Sequence, residues 1–120
     1  MISPQEILRF AETMISARTP DEIRCRNAAR SSYYAVFHLM AKTYDMDTSD
    51  ETTTHWEVKK AVMSEDPAYA SDRVTEARTY WDKLYRYRVR ADYYPDQPFP
   101  IGDAQTALNL AKRIFAASHP

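Results

Sequence analysis

The sequence predicts an all-α protein, an up-and-down antiparallel bundle of four long helices and one short helix. The chain has one glycine and seven prolines in 120 residues, whereas β-sandwiches, barrels and phosphate-binding loops need several glycines for tight turns and close backbone approach. Capping residues recur along the chain, and apolar residues at helical spacing follow them. The length is typical of one domain, so residues 1–120 are expected to form a single bundle.

The first two helices are predicted to form a hairpin. Ser3 and Glu6 have the spacing of a capping box with a proline at the first helical position, and the apolar residues that follow predict a helix over residues 4–17. A second capping sequence at residues 19–22 leaves room only for a tight reversal. The second helix meets no breaker before residues 45–53, which are polar and acidic and are predicted to be a loop.

Three further helices complete the predicted bundle. A short helix is expected over residues 55–63, and a long helix follows that Ser71 or Asp72 can cap. Residues 94–102 contain three prolines and the only glycine, which predicts a stiff, extended connection. Asp103 is then expected to cap the last helix.

Charge and composition exclude several classes of function. The formal net charge is -1, so any binding to nucleic acid must come from a local basic patch. The chain has no long apolar run, which argues against a membrane span. Charged residues interrupt the N-terminal segment where a signal peptide needs an apolar stretch, and a single cysteine cannot form an intramolecular disulfide. A cytoplasmic protein is therefore expected. It lacks the paired Glu-x-x-His sequences of a di-iron bundle, so neither a metal nor a cofactor is expected.

One arginine interrupts the apolar stripe of the fourth helix. Val74, Trp81 and Leu84 follow the spacing of a core seam, and Arg88 continues it. A buried guanidinium requires a carboxylate partner, a cleft or an exit to solvent. Asp92 lies one turn later and is the obvious partner, although a carboxylate in the last turn of a helix opposes the helix dipole.

Arginine and tyrosine are interleaved in two windows, one on the second helix and one on the fourth. Guanidinium groups bind phosphate bidentately and phenol rings offer stacking faces, so this composition suits contacts with RNA or nucleotides. Solvated arginines and packed tyrosines are the ordinary alternative. The residues in the two windows are Arg24, Arg26, Arg30, Tyr33 and Tyr34, and then Tyr85, Arg86, Tyr87, Arg88, Arg90, Tyr93 and Tyr94.

Two segments together resemble the HEPN family, the higher eukaryotic and prokaryotic nucleotide-binding domains. Residues 26–38 read RNAARSSYYAVFH, and residues 88–93 read RVRADY. The resemblance spans roughly residues 23–94. It implies an all-α bundle that usually forms a homodimer with the polar motifs of both subunits in a shared cleft. Many members are metal-independent ribonucleases of toxin–antitoxin or defence systems, often encoded beside a nucleotidyltransferase partner, and others are non-catalytic RNA- or nucleotide-binding modules.

The chain departs from the Arg-x4–6-His motif of the nuclease members at one position. Arg88 matches the arginine, but Tyr93 stands five residues later. A phenol of pKa ~10 is a poor base for attack by a ribose 2′-hydroxyl, whereas an imidazole is suited to that role. Tyr93 is therefore expected to donate a hydrogen bond or to stack, and His38 is the candidate acid or base.

The resulting site hypothesis has two groups of residues. The catalytic candidates are Arg88, Asp92, Tyr93 and His38, and the nucleic-acid or nucleotide contacts are Arg26, Arg30, Tyr33, Tyr34, Arg86 and Arg90. The alternatives are a non-catalytic module that pairs with a nucleotidyltransferase-type partner and a purely structural Arg88–Asp92 pair. Antiparallel pairing of the second and fourth helices is required to bring Arg30 to Arg88. A cleft beside Arg88 favours a ligand, whereas enclosure by carboxylate and tyrosine within one subunit favours a structural pair.

Overall fold

The computed structural model describes residues 2–49 and 53–117. In these residues the chain forms five helices and no strand, so the predicted all-α fold is confirmed. Residues 50–52 of the predicted loop lie outside the described part of the chain. The helices are α1 (Pro4–Ile15), α2 (Glu22–Thr43), α3 (His55–Ser64), α4 (Asp72–Tyr93) and α5 (Ile101–Ala116).

The α1–α2 hairpin has the predicted capping box at its start. The Ser3 hydroxyl accepts from the Glu6 amide, and the Glu6 carboxylate accepts from the Ser3 amide in return. At the start of α2 the cap is Asp21, whose carboxylate accepts from the Arg24 amide at 2.9 Å. The capping sequence at residues 19–22 therefore uses its third residue.

Helix α2 ends without a glycine. The Met46 amide donates to the Ala41 carbonyl at 2.8 Å and the Asp45 amide donates to the Lys42 carbonyl at 3.1 Å, which is the pattern of a Schellman motif. Asp45 occupies the left-handed position that glycine usually fills, with φ of 54°. Aspartate tolerates this region better than most residues, and this explains how a chain with one glycine makes the turn.

The connector before α5 is shorter than predicted. Helix α5 begins at Ile101 after Pro100, so Gly102 lies inside the helix and Asp103 is not its cap. The Asp103 carboxylate instead accepts from Arg90 Nη2 of α4 at 2.9 Å. This carboxylate therefore pairs with a residue of another helix and does not have the capping role that its local sequence predicted.

The predicted seam of α4 is confirmed as part of the core. Helix α2 runs through the centre of the bundle, and the buried residues of α4 and α5 pack against it. Because Arg26 of α2 contacts the last turn of α4, the two helices are antiparallel, as expected. The buried seam residues of α4 are Val74, Ala77, Trp81, Leu84 and Ala91.

The short helix α3 is held against the other end of α2 and α4. Arg78 of α4 donates to the carbonyls of Val62 and Glu65, and the hydroxyl of Tyr44, which caps the end of α2, donates to the Glu65 carboxylate. None of the five helices in the described residues combines the length and apolar character that crossing a membrane requires.

Candidate functional site

A polar cluster lies where the N-terminal half of α2 meets the C-terminal half of α4. Its residues converge because they recur every three or four positions along each helix and the helices run antiparallel. Beside it, the exposed Ile23 continues the α2 stripe by one further turn. We call this group the α2–α4 cluster, and its members are Asn27, Arg30, Tyr34, Arg88, Asp92 and Tyr93.

Asp92 is the centre of the α2–α4 cluster. Its Oδ1 accepts from Arg30 Nε at 2.5 Å, and its Oδ2 lies 3.0 Å from Arg88 Nε. The second contact is an ion pair without the alignment of a hydrogen bond. Arg30 Nη1 also donates to the Asn27 side-chain oxygen at 3.0 Å. Two cations therefore share one carboxylate, which offsets its unfavourable position against the α4 dipole.

Arg88 is largely enclosed within one chain. Its Nη2 donates to the Tyr34 hydroxyl at 2.9 Å, and its guanidinium lies 5.5 Å from the Tyr34 ring centroid and 5.2 Å from that of Tyr93. The side chain is 17% exposed. Burial by itself would lower the pKa of Arg88, but Tyr34 and Asp92 raise the value overall. Enclosure of Arg88 by a carboxylate and tyrosines within one chain is what a structural pair predicts, so this geometry favours a structural role for Arg88.

Arg30 is the open member of the cluster. Its side chain is 44% exposed, and Tyr93 beside Arg88 is 64% exposed. Within the described chain, Arg30 Nη2 and Arg88 Nη1 have no hydrogen-bond partner. The exposed edge of the cluster therefore presents cationic donors together with an aromatic ring.

Arg26 lies apart from the cluster, at the end of α4. Its guanidinium donates to the carbonyls of Arg90 at 3.1 Å, Ala91 at 3.0 Å and Tyr94 at 3.3 Å, and to the Gln97 carbonyl in the connector. These are among the carbonyls that a helix end leaves without intrahelical partners. Arg26 closes the C-terminus of α4 and has little capacity left for a ligand.

Arg86 and Arg90 lie on another face of α4. Each is two positions from Arg88, which is about 200° around a helix of 3.6 residues per turn. They line a cleft of about 260 Å³ with Lys83 and Tyr87. The structure therefore divides the arginines of the two windows among different locations.

His38 is separated from the Arg88–Asp92 pair. Its ring lies one turn beyond Tyr34, 6.4 Å between centroids, and lines a cleft of about 380 Å³ near the start of α1. Burial lowers the pKa of His38. No hydrogen bond or ion pair joins His38 to the cluster among the described residues, so its predicted role as acid or base lacks the necessary contact.

His55 lies near the cluster and is not among the site residues that the sequence predicted. Its Nδ1 lies 2.5 Å from the hydroxyl of the buried Tyr33, and its ring stacks on Tyr85 at 3.7 Å. Burial, helped by the nearby cations Lys59 and Arg88 and opposed by Asp82, lowers the pKa of His55 to about 4. No local sequence pattern identifies this residue, because His55 reaches Tyr33 only through the docking of α3.

Burial also raises the pKa of the Tyr33 hydroxyl far above its ordinary value. The phenol therefore stays protonated, and its hydroxyl shares a hydrogen bond with Nδ1 of His55. Tyr33 is predicted from the sequence as a nucleotide contact, but here it is a buried core residue whose hydroxyl is already occupied. Neither Tyr33 nor His55 offers a base that titrates near neutrality.

Arg113 and His119 have the spacing of the nuclease motif, with five residues between them. Arg113 of α5 pairs with Glu76 of α4 at 3.2 Å. Glu76 lies about 20 Å along α4 from Arg88, at 1.5 Å per residue. His119 lies outside the described residues. Arg113 is therefore far from the cluster.

Metal ligands do not converge in the described chain, where no group of three or more histidine, cysteine, aspartate or glutamate side chains could hold an ion. Comparisons of the chain with protein-family models, with curated proteins and with solved structures find no match. The resemblance to the HEPN family therefore rests on the two motifs and on the helical fold.

Proposed function

We propose that this protein binds the phosphate groups of RNA or of nucleotides at the exposed edge of the α2–α4 cluster, as a HEPN-like binding module. The observation that carries the proposal is the shared carboxylate. Arg30 and Arg88 both lie against Asp92, so the cluster keeps an excess of one positive charge. An anion can offset that excess, and guanidinium groups are suited to phosphate oxygens.

The proposed contacts follow from what each side chain leaves open. Arg30 is the main phosphate contact because it is half exposed and has an unused Nη2. Tyr93 can stack on a base because most of its ring faces solvent. Arg88 and Asp92 act as positioning residues, since they are held by each other and by Tyr34.

Binding is favoured over cleavage because the cluster lacks a suitable base. General base catalysis requires a group within hydrogen-bond reach with a pKa near the working pH. His55 has a pKa of about 4 and its Nδ1 is already hydrogen-bonded to the Tyr33 hydroxyl. In the described chain no hydrogen bond or ion pair joins His38 to the cluster. A metal-independent ribonuclease of a toxin–antitoxin or defence system is therefore the less supported form of this function.

The binding proposal is tested with a fluorescently labelled single-stranded RNA of mixed sequence in the presence of a chelator. We expect Arg30→Gln to weaken binding about tenfold, which is the effect of losing one charge-assisted phosphate contact. Arg24→Gln is the matched control because it removes the same charge from an exposed position of α2. Equal losses in both variants, or no binding by the native protein, would contradict the proposal.

Cleavage is tested separately by incubating the native protein and Arg88→Ala with mixed RNA without metal. We expect intact RNA in both reactions. Cleavage that depends on Arg88 would replace the binding role with the nuclease role.

The second role implied by the resemblance is interaction with another protein, and exposed apolar side chains favour it. Ile23 and Tyr93 are exposed at the cluster, and Trp56 is exposed on α3. We propose a second copy of the chain as the occupant of this surface, in a homodimer. Sedimentation equilibrium tests this: a concentration-dependent dimer weakened by Trp56→Ser supports it, and a monomer that associates only with a nucleotidyltransferase-type protein favours the alternative.

A further inference from the structure

The outer face of α4 carries a second group of cations. Lys83, Arg86, Tyr87 and Arg90 are spaced i, i+3, i+4 and i+7, so they share one face of the helix. They line the cleft of about 260 Å³ described above, which we call the α4 basic cleft. Arg88 lies on a different side of α4, so the two cationic surfaces are separate.

Three carboxylates of α4 form ion pairs with residues outside this cleft. Asp82 pairs with Lys59 at 2.8 Å, Glu76 pairs with Arg113 at 3.2 Å, and Asp92 belongs to the α2–α4 cluster. The cleft receives one carboxylate from α5, where Asp103 neutralises Arg90 at 2.9 Å.

Lys83 and Arg86 are left without compensation. Both are exposed, and neither side chain forms an ion pair or hydrogen bond within the described chain. The α4 basic cleft therefore carries an excess of two positive charges, against one in the α2–α4 cluster. Like charges one turn apart weaken an isolated helix by a few tenths of a kcal/mol.

The side chains of the cleft suit a strand of closely spaced anions. Positions 83 and 90 are about 10 Å apart along the helix axis. A stacked nucleic acid strand carries a phosphate about every 3.4 Å, so it can present about three charges over this span. An extended acidic polypeptide directs a side chain to one face only about every 7 Å. Arg90 lies 5.9 Å from the Tyr87 ring centroid, so an aromatic face adjoins the cations.

We propose that the α4 basic cleft binds the phosphodiester backbone of a single nucleic acid strand through Lys83 and Arg86. The inference shares its ligand class with the proposed function, on which it rests, but it uses a different set of residues. The chemistry is common to RNA and DNA, so both are used as probes.

The test compares Lys83→Gln/Arg86→Gln with the native chain by measuring how the binding constant of a labelled single strand falls with salt. Losing two phosphate contacts should reduce the slope of log K against log salt by about 1.4, at 0.7 per contact. Arg9→Gln/Arg24→Gln is the control, because it removes two exposed charges from α1 and α2 and should leave the slope near the native value. Equal slopes in the two double variants would overturn the inference.

Two further arms identify the ligand. If the cleft contacts the backbone, Lys83→Gln/Arg86→Gln should reduce the slope of log K against log salt equally for RNA and DNA strands of the same sequence. A reduction with RNA alone would assign the contact to an RNA strand. Polyglutamate of matched charge should compete poorly, and competition equal to that of an unlabelled strand would overturn the phosphodiester assignment in favour of an acidic polypeptide.

The same measurements separate the two proposals. If Arg30→Gln leaves RNA binding unchanged while the cleft variant loses slope, the α2–α4 cluster is not the phosphate site and the cleft is. If only Arg30→Gln weakens binding, the cleft inference fails and the proposed function stands. Circular dichroism should show native helix content in all variants, since the substituted side chains are exposed or partly exposed.

Discussion

Arg26 and Arg30 lie one turn apart on α2 and belong to one window of the sequence, yet they meet different groups. Arg26 is 12% exposed and its donors end on backbone carbonyls of the last turn of α4 and the connector. Arg30 is 44% exposed and ends on Asp92, a carboxylate already shared with Arg88. One arginine completes a helix end and the other belongs to a cluster with excess charge. The sequence pattern does not distinguish the two arginines. Their roles differ because Arg26 meets backbone carbonyls and Arg30 meets a carboxylate.

The largest effect should come from removing Arg26. We expect Arg26→Gln to lower the free energy of unfolding by about 3 kcal/mol, because two half-buried carbonyls of α4 and the exposed carbonyls after it lose this donor at once. Arg30→Gln should cost under about 1 kcal/mol, since it removes one half-exposed ion pair. Urea denaturation followed by circular dichroism measures both. Similar losses would show that the comparison between the two arginines is wrong.

The next effect concerns Arg88 and Asp92. We expect Arg88→Met to lower the free energy of unfolding by about 2 kcal/mol, because Asp92 then retains only Arg30 and the Tyr34 hydroxyl loses its donor. A double-mutant cycle with Asp92→Asn should give a coupling energy of about 1 kcal/mol. A coupling near zero would mean that the 3.0 Å contact contributes little and that Arg88 acts mainly through its packing on Tyr34 and Tyr93.

The smallest of these effects is a pH dependence that tests the docking of α3 beside the cluster. His55 has a pKa of about 4 in the folded chain, against an ordinary value of 6.5. The unfolded chain therefore binds more protons between these values, so stability is full above about pH 6.5 and falls as the pH drops to 4. The expected loss is on the order of 1 kcal/mol, less than the full shift implies because the imidazole keeps some solvent contact.

The measurement is a series of urea midpoints between pH 4 and pH 7. His55→Phe keeps a ring that can stack on Tyr85 and removes the titrating imidazole together with its hydrogen bond to Tyr33, so it should flatten the profile. His38→Gln is the matched control, and it should retain most of the slope. A native profile unchanged in His55→Phe would assign the pH dependence to other groups.

Much of the fold follows from local patterns in the sequence. The capping box at Ser3, the cap at Ser71 and the apolar seam from Val74 to Leu84 predict helices whose observed ends differ by a few residues. The antiparallel pairing of α2 and α4 follows from helix lengths and from the expected approach of Arg30 to Arg88. Local prediction failed at Asp103, where an ion pair with Arg90 across two helices outweighs capping.

The candidate site was predictable only in part. The sequence by itself determined which helices form and that Arg88 and Asp92 share a face one turn apart, because these depend on spacing within one helix. Only the tertiary structure decided that Arg26 closes a helix end, that Arg86 faces a separate cleft and that His55 meets Tyr33. Those contacts join residues far apart in the chain, and they depend on the rotation and docking of whole helices, which no local spacing encodes.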